Sequence, residues 1–483
     1  MAKRPNQTDE QLDLFATNRN YYDKQTDSSD AIRTDGGEAL ARVSSQNGSR
    51  TGSQRDASGN ALGSGGENGQ RNARPDDAIP ETGIDGAASA QSGLGNREGA
   101  LHPAAAGGND RDGDRVVRNP NNYRIAPADG VGAGSLREKC RANLAAIKLV
   151  RQLQAENRPA TPEEKSVLVR YVGWGGLSQI FSPATDWQKE NLELSALLSE
   201  EEFRAARAST LNAHYTSGEV IQAMYAAVER LGFNGGRILE PSCGIGHFIG
   251  FMPDAIHAES IITGIEIDPL TAQIAKVLYP DADIRNEPFE KANVADGFFD
   301  LAISNIPFGD YKPFDNQFNR QGFLIHDYFF ARGIEAVRPG GLMMFVTSRG
   351  TMDKRDNYLR GHVAAEADLI GAIRLPNTAF KRNANTEVTT DILILKKRRP
   401  LEMAKGESWT EAVDYTNATG ETFRLNEYFA KHPEMMLGEM RLEGRMYSRN
   451  EPTLADTGQD LKTALADAIK KLPANIYQSL NRP

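Results

Sequence analysis

Cysteine, histidine and long apolar runs are scarce in this sequence of 483 residues. Its two cysteines, Cys140 and Cys243, exclude a disulfide scaffold and fit a reducing compartment. The seven histidines are scattered, so we expect no metal site. No apolar run approaches the roughly 18 residues of a membrane span, and the first residues lack the apolar segment of a signal peptide. These absences predict a cytoplasmic protein.

Net positive charge and a phosphate-binding P-loop are missing as well. Lys and Arg total 56 against 65 for Asp and Glu, which gives a formal net charge of −9. An acidic chain binds nucleic acid only through a local basic surface, because its overall field repels phosphate. Since no G-x-x-x-x-G-K-S/T segment occurs, these residues contain no P-loop motor.

Composition divides the chain into four parts. Residues 1–130 hold 18 of the 45 glycines but one of the 19 phenylalanines, which predicts a disordered, low-complexity tail because little apolar surface can be buried. Residues 131–212 show leucines at helical spacing and Ser or Thr caps followed by Glu, which predicts a small helical region. Residues 213–400 alternate short apolar runs with helical stretches, and residues 401–483 form a polar extension whose clear feature is one helix.

The alternation over residues 213–400 predicts an α/β fold with a doubly wound, mostly parallel, seven-stranded sheet. A long loop without a clear helix joins the last two strands, which favours an antiparallel pair there. The expected strands are Arg237–Glu240, Ile261–Glu266, Asp283–Arg285, Phe299–Ser304, Leu342–Thr347, Leu369–Arg374 and Asp391–Lys396. The expected helices include Pro269–Leu278, Phe323–Val337 and Lys354–Ala365. Ligands of such sheets bind at the carboxyl ends of the strands.

Acidic residues end the first two strands. The first runs into Glu240-Pro241-Ser242-Cys243-Gly244-Ile245-Gly246-His247-Phe248, where the Gly-x-Gly turn lets a ligand approach the backbone. A carboxylate at Glu240 repels phosphate and attracts a cation, which suits the sulfonium and ammonium groups of S-adenosylmethionine. Glu266 ends the second strand, where an acid accepts hydrogen bonds from ribose hydroxyls, whereas Asp268 is expected to cap the next helix.

Aromatic and amide side chains follow the next two strands. Phe289, after the third strand, is predicted to stack on the cofactor's adenine, with Glu287 or Asn286 at the adenine amino group; a core Phe is the alternative. The fourth strand ends in Asn305-Ile306-Pro307-Phe308, the most specific signal in the chain. Its amide oxygen and Ile306 carbonyl can accept both hydrogens of an exocyclic amino group and favour the charge that develops on nitrogen. Phe308 would stack on a base that has left the duplex.

These motifs, in this order, resemble amino-group DNA methyltransferases with an Asn-Pro-Pro-Tyr/Phe motif, and His214-Tyr215-Thr216 resembles their segment at the cofactor's methionine end. The cofactor motifs precede the catalytic motif, and only 64 residues separate Glu240 from Asn305. This order is typical of the gamma group, which mostly methylates adenine N6. Ile306 replaces the usual first Pro, but Pro307 keeps it extended, so we expect the carbonyl acceptor to survive. The resemblance implies S-adenosylmethionine binding by Tyr215, Thr216, Glu240, Pro241, Ser242, Gly244, Gly246, Phe248, Glu266, Ile267, Glu287 and Phe289. Pro288 displaces the usual acid before Phe289, so the match there is imperfect.

A narrower resemblance points to plasmid- and phage-borne adenine methylases, which are often fused to a helicase and linked to antirestriction. It is carried by the segments Tyr171–Leu177, Ile325–Phe329, Thr347–Asp353, Ile373–Asn377 and Asn426–Phe429. It implies a Rossmann-like methyltransferase fold, a place in the bacterial cytoplasm and DNA as partner. It also makes Phe380 a candidate second wall for the flipped base, with a loop Phe packed on the last strands as the alternative.

Basic residues follow the fifth and sixth strands. Phosphate contact is the leading interpretation, and a solvated helix face is the alternative. The candidates are Arg349, Lys354, Arg355, Arg360, Arg374, Lys381 and Arg382.

A short motif in the tail, Gln11-Leu12-Asp13-Leu14-Phe15, resembles the pentapeptide with which bacterial proteins bind the replicative sliding clamp. Leu14 and Phe15 would be its apolar anchors, and tethering to a ring on DNA would offset weak intrinsic affinity for DNA. A chance apolar patch is the alternative.

Two other functions stay open at this point. One is a non-catalytic antirestriction or DNA-transfer accessory protein that keeps the fold. The other is methylation of a different amino acceptor, namely cytosine N4, RNA adenine or protein glutamine.

Overall fold

The computed structural model describes residues 119–182, 186–211, 215–380, 388–444 and 450–479. Gln11–Phe15, His214, Lys381 and Arg382 lie outside these ranges, as does most of the predicted tail. No helix within the described ranges is both long and apolar enough to cross a membrane.

Seven strands form the central sheet in the order β3-β2-β1-β4-β5-β7-β6. All neighbours are parallel except β7, which runs antiparallel to β5 and β6. The fold class predicted from the sequence, including the antiparallel last pair, is therefore confirmed. The strands are β1 Arg237–Glu240, β2 Ile261–Glu266, β3 Asp283–Asn286, β4 Phe299–Asn305, β5 Val337–Ser348, β6 Ala367–Leu375 and β7 Thr390–Lys397.

Helices cover the sheet and precede it. Ser135, Thr161 and Ser199 each form a capping box with a Glu three residues later, as the sequence predicts. The helices are α1 Leu136–Glu156, α2 Pro162–Leu168, α3 Gln188–Leu197, α4 Glu200–Ala208, α5 Gly218–Arg230, α6 His247–Gly250, α7 Asp254–Ala258, α8 Pro269–Leu278, α9 Ile325–Ala336, α10 Gly350–Asp353, α11 Tyr358–Glu366, α12 Glu427–Lys431 and α13 Leu461–Lys471. Helices α1 and α2 pack on α8, which places the amino-terminal helices beside the sheet.

Residues 119–130 belong to the folded part, so the predicted end of disorder at residue 130 is wrong. The Tyr123 amide donates to the Leu278 carbonyl at 2.8 Å, and the Ile125 amide donates to the Gly250 carbonyl at 3.0 Å. The side chain of Asn119 donates to two further carbonyls next to α7. Backbone hydrogen bonds, which composition does not reveal, hold this segment to the sheet's helices.

The extension after residue 400 contains more structure than the sequence predicts. Two antiparallel hairpins were missed, β8 Ala412–Thr416 with β9 Thr422–Asn426, and β10 Glu439–Gly444 with β11 Glu451–Ala455. Their strands are short and expose several side chains, so their apolar pattern is weak. The helix predicted in this extension is observed as α13, and its Leu465 and Ile469 are buried where α13 meets α5.

A buried ion-pair network ties this extension to the sheet. The Arg374 guanidinium on β6 binds both carboxylate oxygens of Asp391 on β7, at 2.7 and 2.8 Å, and both of Asp353 at 2.9 and 3.0 Å. Asp353 also accepts a hydrogen bond from the Asn426 amide at 3.0 Å. Arg374 has no exposed surface, so its predicted contact with phosphate is wrong: two carboxylates already satisfy its charge.

Removing one carboxylate from this network should destabilise the fold. Asp391→Asn leaves the buried guanidinium with one counterion, so we expect the free energy of unfolding to fall by about 3 kcal/mol. Urea unfolding followed by circular dichroism measures the change. Asp467→Asn, which removes an exposed ion pair with Lys470, is the control and should leave the midpoint unmoved. An equal effect of both variants would refute the structural role of the network.

Candidate active site

A cavity of about 220 Å³ opens where β1, β2, β3 and β4 end. It is the point at which the strand order reverses direction, where ligands of open α/β sheets bind. The cavity brings together most of the residues predicted for the site. Those that line it are Tyr215, Thr216, Glu240, Pro241, Ser242, Gly244, Phe248, Glu266, Ile267, Glu287, Phe289, Asn305, Ile306, Pro307 and Phe308.

Strand register and backbone hydrogen bonds position these segments. β1 pairs with β2 on one side and with β4 on the other, so the loops that follow the three strands are neighbours. The Cys243 amide donates to the Ile265 carbonyl at 2.8 Å, and the Ser304 hydroxyl donates to the Ser242 carbonyl at 3.4 Å. The turn after β1 is therefore held from both sides.

Glu240 is the most buried carboxyl group of the cavity, with 2% of its surface exposed. Within the described residues its Oε2 has no hydrogen-bond partner. Burial, together with the nearby Glu266, raises the pKa of Glu240 well above its usual range. A buried carboxyl group with a raised pKa favours a positively charged ligand, because the cation offsets the free-energy cost of ionising that group.

Glu266 is held in place by the backbone. Its two carboxylate oxygens accept hydrogen bonds from the Gly244 and Asp268 amides, each at 2.8 Å. Burial raises its pKa to about 7, although these amides act in the opposite direction. Asp268 instead accepts from the Thr271 amide at 2.8 Å at the start of α8, which confirms its predicted role as the helix cap.

The two glycines of the turn differ in role. Gly244 lines the cavity with φ +55°, and a Cβ there would lie at ordinary contact distance from Tyr215. Gly246 has φ +86°, and a Cβ there would overlap the Tyr279 ring on the side of the protein core. The prediction that Gly246 lets the ligand approach is therefore wrong, because its missing side chain makes room for Tyr279.

Phe289 presents part of its ring to the cavity and packs the rest on Phe329, with ring centroids 5.0 Å apart. Phe289 is thus a core residue that also lines the cavity, and its stacking on adenine stays a prediction. Asn286 lies behind the lining, where its amide donates to the carbonyls of Glu266 at 2.9 Å and Ile267 at 3.1 Å. Asn286 thus supports the end of β2.

The Asn305–Phe308 segment leaves β4 at the opposite side of the cavity from β2. The Ile306 amide donates to the Val346 carbonyl of β5 at 3.2 Å, which fixes the peptide that follows Asn305. Ile306 itself is buried, while Asn305 and Phe308 are partly exposed. The chain then continues through Tyr311 along the cavity wall.

The amino-terminal helices supply a wall that the residue-by-residue analysis missed. Tyr171 and Trp174 line the cavity, and Tyr171 meets the Tyr215 ring edge-on with centroids 6.3 Å apart. Residues of α4 and its end, including Glu202 and Ser209, complete this wall. The segment Tyr171–Leu177 was singled out only by resemblance, and its Gly-Trp-Gly-Gly run was the available signal.

The candidate DNA contacts lie away from the cavity lining. Phe380 is 1% exposed and packed in the core, so its predicted place beside the flipped base is wrong, since no free ring face remains. Arg360 is fully buried, where it donates to three backbone carbonyls, which also contradicts phosphate contact. Arg349 pairs with Glu451 at 3.6 Å and Lys354 pairs with Asp327, so both are already partnered.

Among the described residues, no group of three or more His, Cys, Asp or Glu side chains is arranged to hold a metal ion.

The raised pKa of Glu266 makes stability depend on pH. The folded protein keeps a proton that the unfolded chain has released, so this stabilisation is complete below about pH 4.5 and is lost as the pH rises through about 7. We expect the free energy of unfolding to fall by about 3 kcal/mol more in the wild type than in Glu266→Gln across this interval. Urea unfolding at several pH values measures it. The exposed Glu229→Gln should follow the wild type; parallel curves for wild type and Glu266→Gln would contradict the assignment.

No model of a protein family matches the chain. Among solved structures, it is 18% identical to a protein of Listeria monocytogenes proposed to be a class I S-adenosylmethionine-dependent methyltransferase, covering 56% of this chain and 92% of that one with a TM-score of 0.35. A methyltransferase subunit of a type I restriction-modification system from Streptococcus thermophilus is 17% identical, with 53% and 66% covered and a TM-score of 0.33. TM-scores at this level add nothing to what strand order establishes.

A relative is found among characterised phage proteins. Over 325 residues, the chain is 25% identical to "Defense against restriction protein B" of Escherichia phage P1. The match covers 65% of this chain but only 12% of that protein, so the chain spans about an eighth of the relative's length. Over this part of its length the chain is therefore similar to a phage protein that is named for defence against restriction, which agrees with the resemblance noted in the sequence.

Proposed function

We propose that the protein transfers a methyl group from S-adenosylmethionine to the exocyclic N6 of adenine in DNA. The observation that carries this proposal is the position of Asn305-Ile306-Pro307-Phe308, which faces the same cavity as the buried carboxyl groups of Glu240 and Glu266. An amide, a carbonyl and an aromatic ring beside a cation-binding site are the groups that amino methylation requires.

The buried carboxyl groups fit the cofactor. Glu240, with its unpartnered Oε2, matches a ligand that carries positive charge, and Gly244 leaves room for that ligand against the backbone. Glu266 holds its carboxylate toward the cavity through two backbone amides and can accept ribose hydroxyls with its remaining lone pairs. Phe289 and Ile267 offer apolar surface to an adenine ring. Bound S-adenosylmethionine supplies the activated methyl group.

The catalytic work falls to the segment after β4. The amide oxygen of Asn305 and the carbonyl of Ile306 accept the two amino hydrogens and so orient the nitrogen lone pair toward the methyl donor. These acceptors also stabilise the positive charge that develops on nitrogen during transfer, so no strong base is needed. Phe308 stacks on the base, which must leave the duplex to reach the cavity.

The biological role follows from the relative. A protein named for defence against restriction supports the proposal that methylation protects phage or plasmid DNA. Retention of Asn305 and of both carboxyl groups favours an active enzyme over a non-catalytic accessory protein. The proposed acceptor is adenine, since the motif order is that of the mostly adenine-specific group.

Asn305→Ala should abolish transfer of tritiated methyl groups to unmethylated plasmid DNA, while calorimetry shows cofactor binding close to that of the wild type. Ile306→Val is the matched control and should keep activity, because it retains both the carbonyl and the amide bonded to Val346. A proline at position 306 would remove that amide, so it does not isolate the carbonyl. N6-methyladenine in the nucleoside digest would support the proposal; another methylated product, or none, would overturn it.

Cofactor binding should release a proton. Because burial raises the pKa of Glu240, its carboxyl group keeps a proton to higher pH than an exposed glutamate does, and a bound cation lowers that pKa. Affinity should therefore rise with pH, by up to about tenfold per pH unit where one proton is released. Calorimetry in two buffers of different ionisation enthalpy counts the protons. The pH dependence should be smaller in Glu240→Gln; an identical dependence in that variant would contradict this role.

A further inference from the structure

The loop between β4 and α9 begins and ends at the cavity. Tyr311 and Ile325 both line the cavity, and the Ile325 amide donates to the Tyr311 carbonyl at 2.9 Å. Asp315 accepts a hydrogen bond from the Tyr328 hydroxyl of α9 at 2.7 Å. The base of the loop and its middle are therefore both fixed to α9.

Buried aromatic rings anchor the loop further, yet one ring projects outward. Phe318 and Phe323 are buried, and Phe318 packs on Tyr328 with centroids 5.6 Å apart. Phe314, which directly precedes the anchored Asp315, is 65% exposed. Three residues of chain span at most about 11 Å, so Phe314 lies within that distance of the cavity wall at Tyr311.

The exposed surface continues from the loop onto α11. The Phe323 ring packs on Tyr358, with centroids 5.5 Å apart, and Tyr358 is 51% exposed. The Lys312 ammonium lies beside Gly322, the residue before Phe323. Lys312 and the exposed Tyr358 are therefore linked through Gly322 and the buried Phe323 ring.

Three exposed cations belong to this loop or lie close in sequence to Tyr358. Lys312, Arg320 and Arg355 are exposed, and in the described part of the chain none of the three forms an ion pair. Arg349 and Lys354, by contrast, are paired with carboxylates. Exposed aromatic rings among unpaired cations are typical of surfaces that bind nucleic acid, since rings stack on bases and cations hold phosphates.

We propose that Lys312, Phe314, Arg320, Arg355 and Tyr358 form the DNA-contacting surface, with Phe314 entering the duplex beside the base that turns into the cavity. The inference rests on the proposed function and names the surface that serves it. Turning a base out of the stack leaves a gap, and an apolar ring that fills the gap offsets part of the cost of unstacking. Because the loop is anchored at Asp315, Phe314 occupies this position before DNA binds.

The cations are tested by binding, which needs no turnover. Replacing Lys312, Arg320 and Arg355 by Ala should weaken binding of a fluorescent duplex by about tenfold or more and should lower the slope of log affinity against log salt by up to about 3. The control triple variant replaces the exposed residues Lys276, Lys462 and Lys471 by Ala, and so removes the same charge. Equal binding and equal salt dependence of the two triple variants in anisotropy titrations would overturn the surface.

Phe314 is tested by the difference between paired and unpaired substrate. Phe314→Ala should lower methyl transfer to native DNA by about tenfold or more, and transfer to the same DNA after heat denaturation by much less, because no base then has to leave a duplex. Leu192→Ala, which truncates a residue 64% exposed on α3, should affect neither. Equal losses on both substrates would overturn the role of Phe314. If the wild type methylates no DNA, the proposed function fails, while the anisotropy titrations still decide the surface.

Discussion

The parallel pairing of β1 with β4 is the constraint from which the candidate site follows. It joins strands that are some sixty residues apart in sequence, with Ile238 opposite Leu301 and Leu239 opposite Ala302. Because both strands run in the same direction, the acid that ends β1 and the amide that ends β4 emerge on the same edge of the sheet. β2 on the other flank adds Glu266 to that edge. The relative position of these acidic and amide groups in the cavity therefore depends on the register of β1 with its neighbours.

Two buried carboxyl groups at this edge lower the stability of the free protein. Burial raises the pKa of both Glu240 and Glu266; the nearby Glu266 adds to the rise at Glu240, and Asp268 adds to the rise at Glu266. Backbone amides recover part of that cost at Glu266, whereas Oε2 of Glu240 has no partner among the described residues. Such a site is less stable than an apolar one would be, and a cationic ligand relieves the difference. Ligand binding and stability are thus coupled at Glu240.

The sheet could be predicted closely because its strands are short apolar runs between turn residues, and β1 and β2 have the predicted bounds. The cavity lining followed, since strand ends in such a sheet converge. Side-chain roles that depend on packing could not be predicted. Gly246 looks like a ligand contact in sequence, yet the neighbour that requires it is Tyr279, far away in the chain. Arg374 looks like a phosphate contact, yet its partners Asp391 and Asp353 come from two other elements, β7 and α10.

The difference between buried and exposed side chains also limits which cations can contact DNA in the proposed complex. Arginine is suited to buried carboxylates because its planar guanidinium can form paired hydrogen bonds, as Arg374 does, while Arg338 donates one hydrogen bond to the buried Asp300. The buried Arg360 guanidinium donates hydrogen bonds to backbone carbonyls. The exposed Lys312, Arg320 and Arg355 form no ion pair in the described part of the chain. In a chain with a net charge of −9, the proposed surface offers three cations to DNA, so few counterions are released and the affinity falls only moderately with salt. In the proposed complex, the aromatic rings of that surface therefore contribute the larger share of the free energy that holds a base outside its duplex.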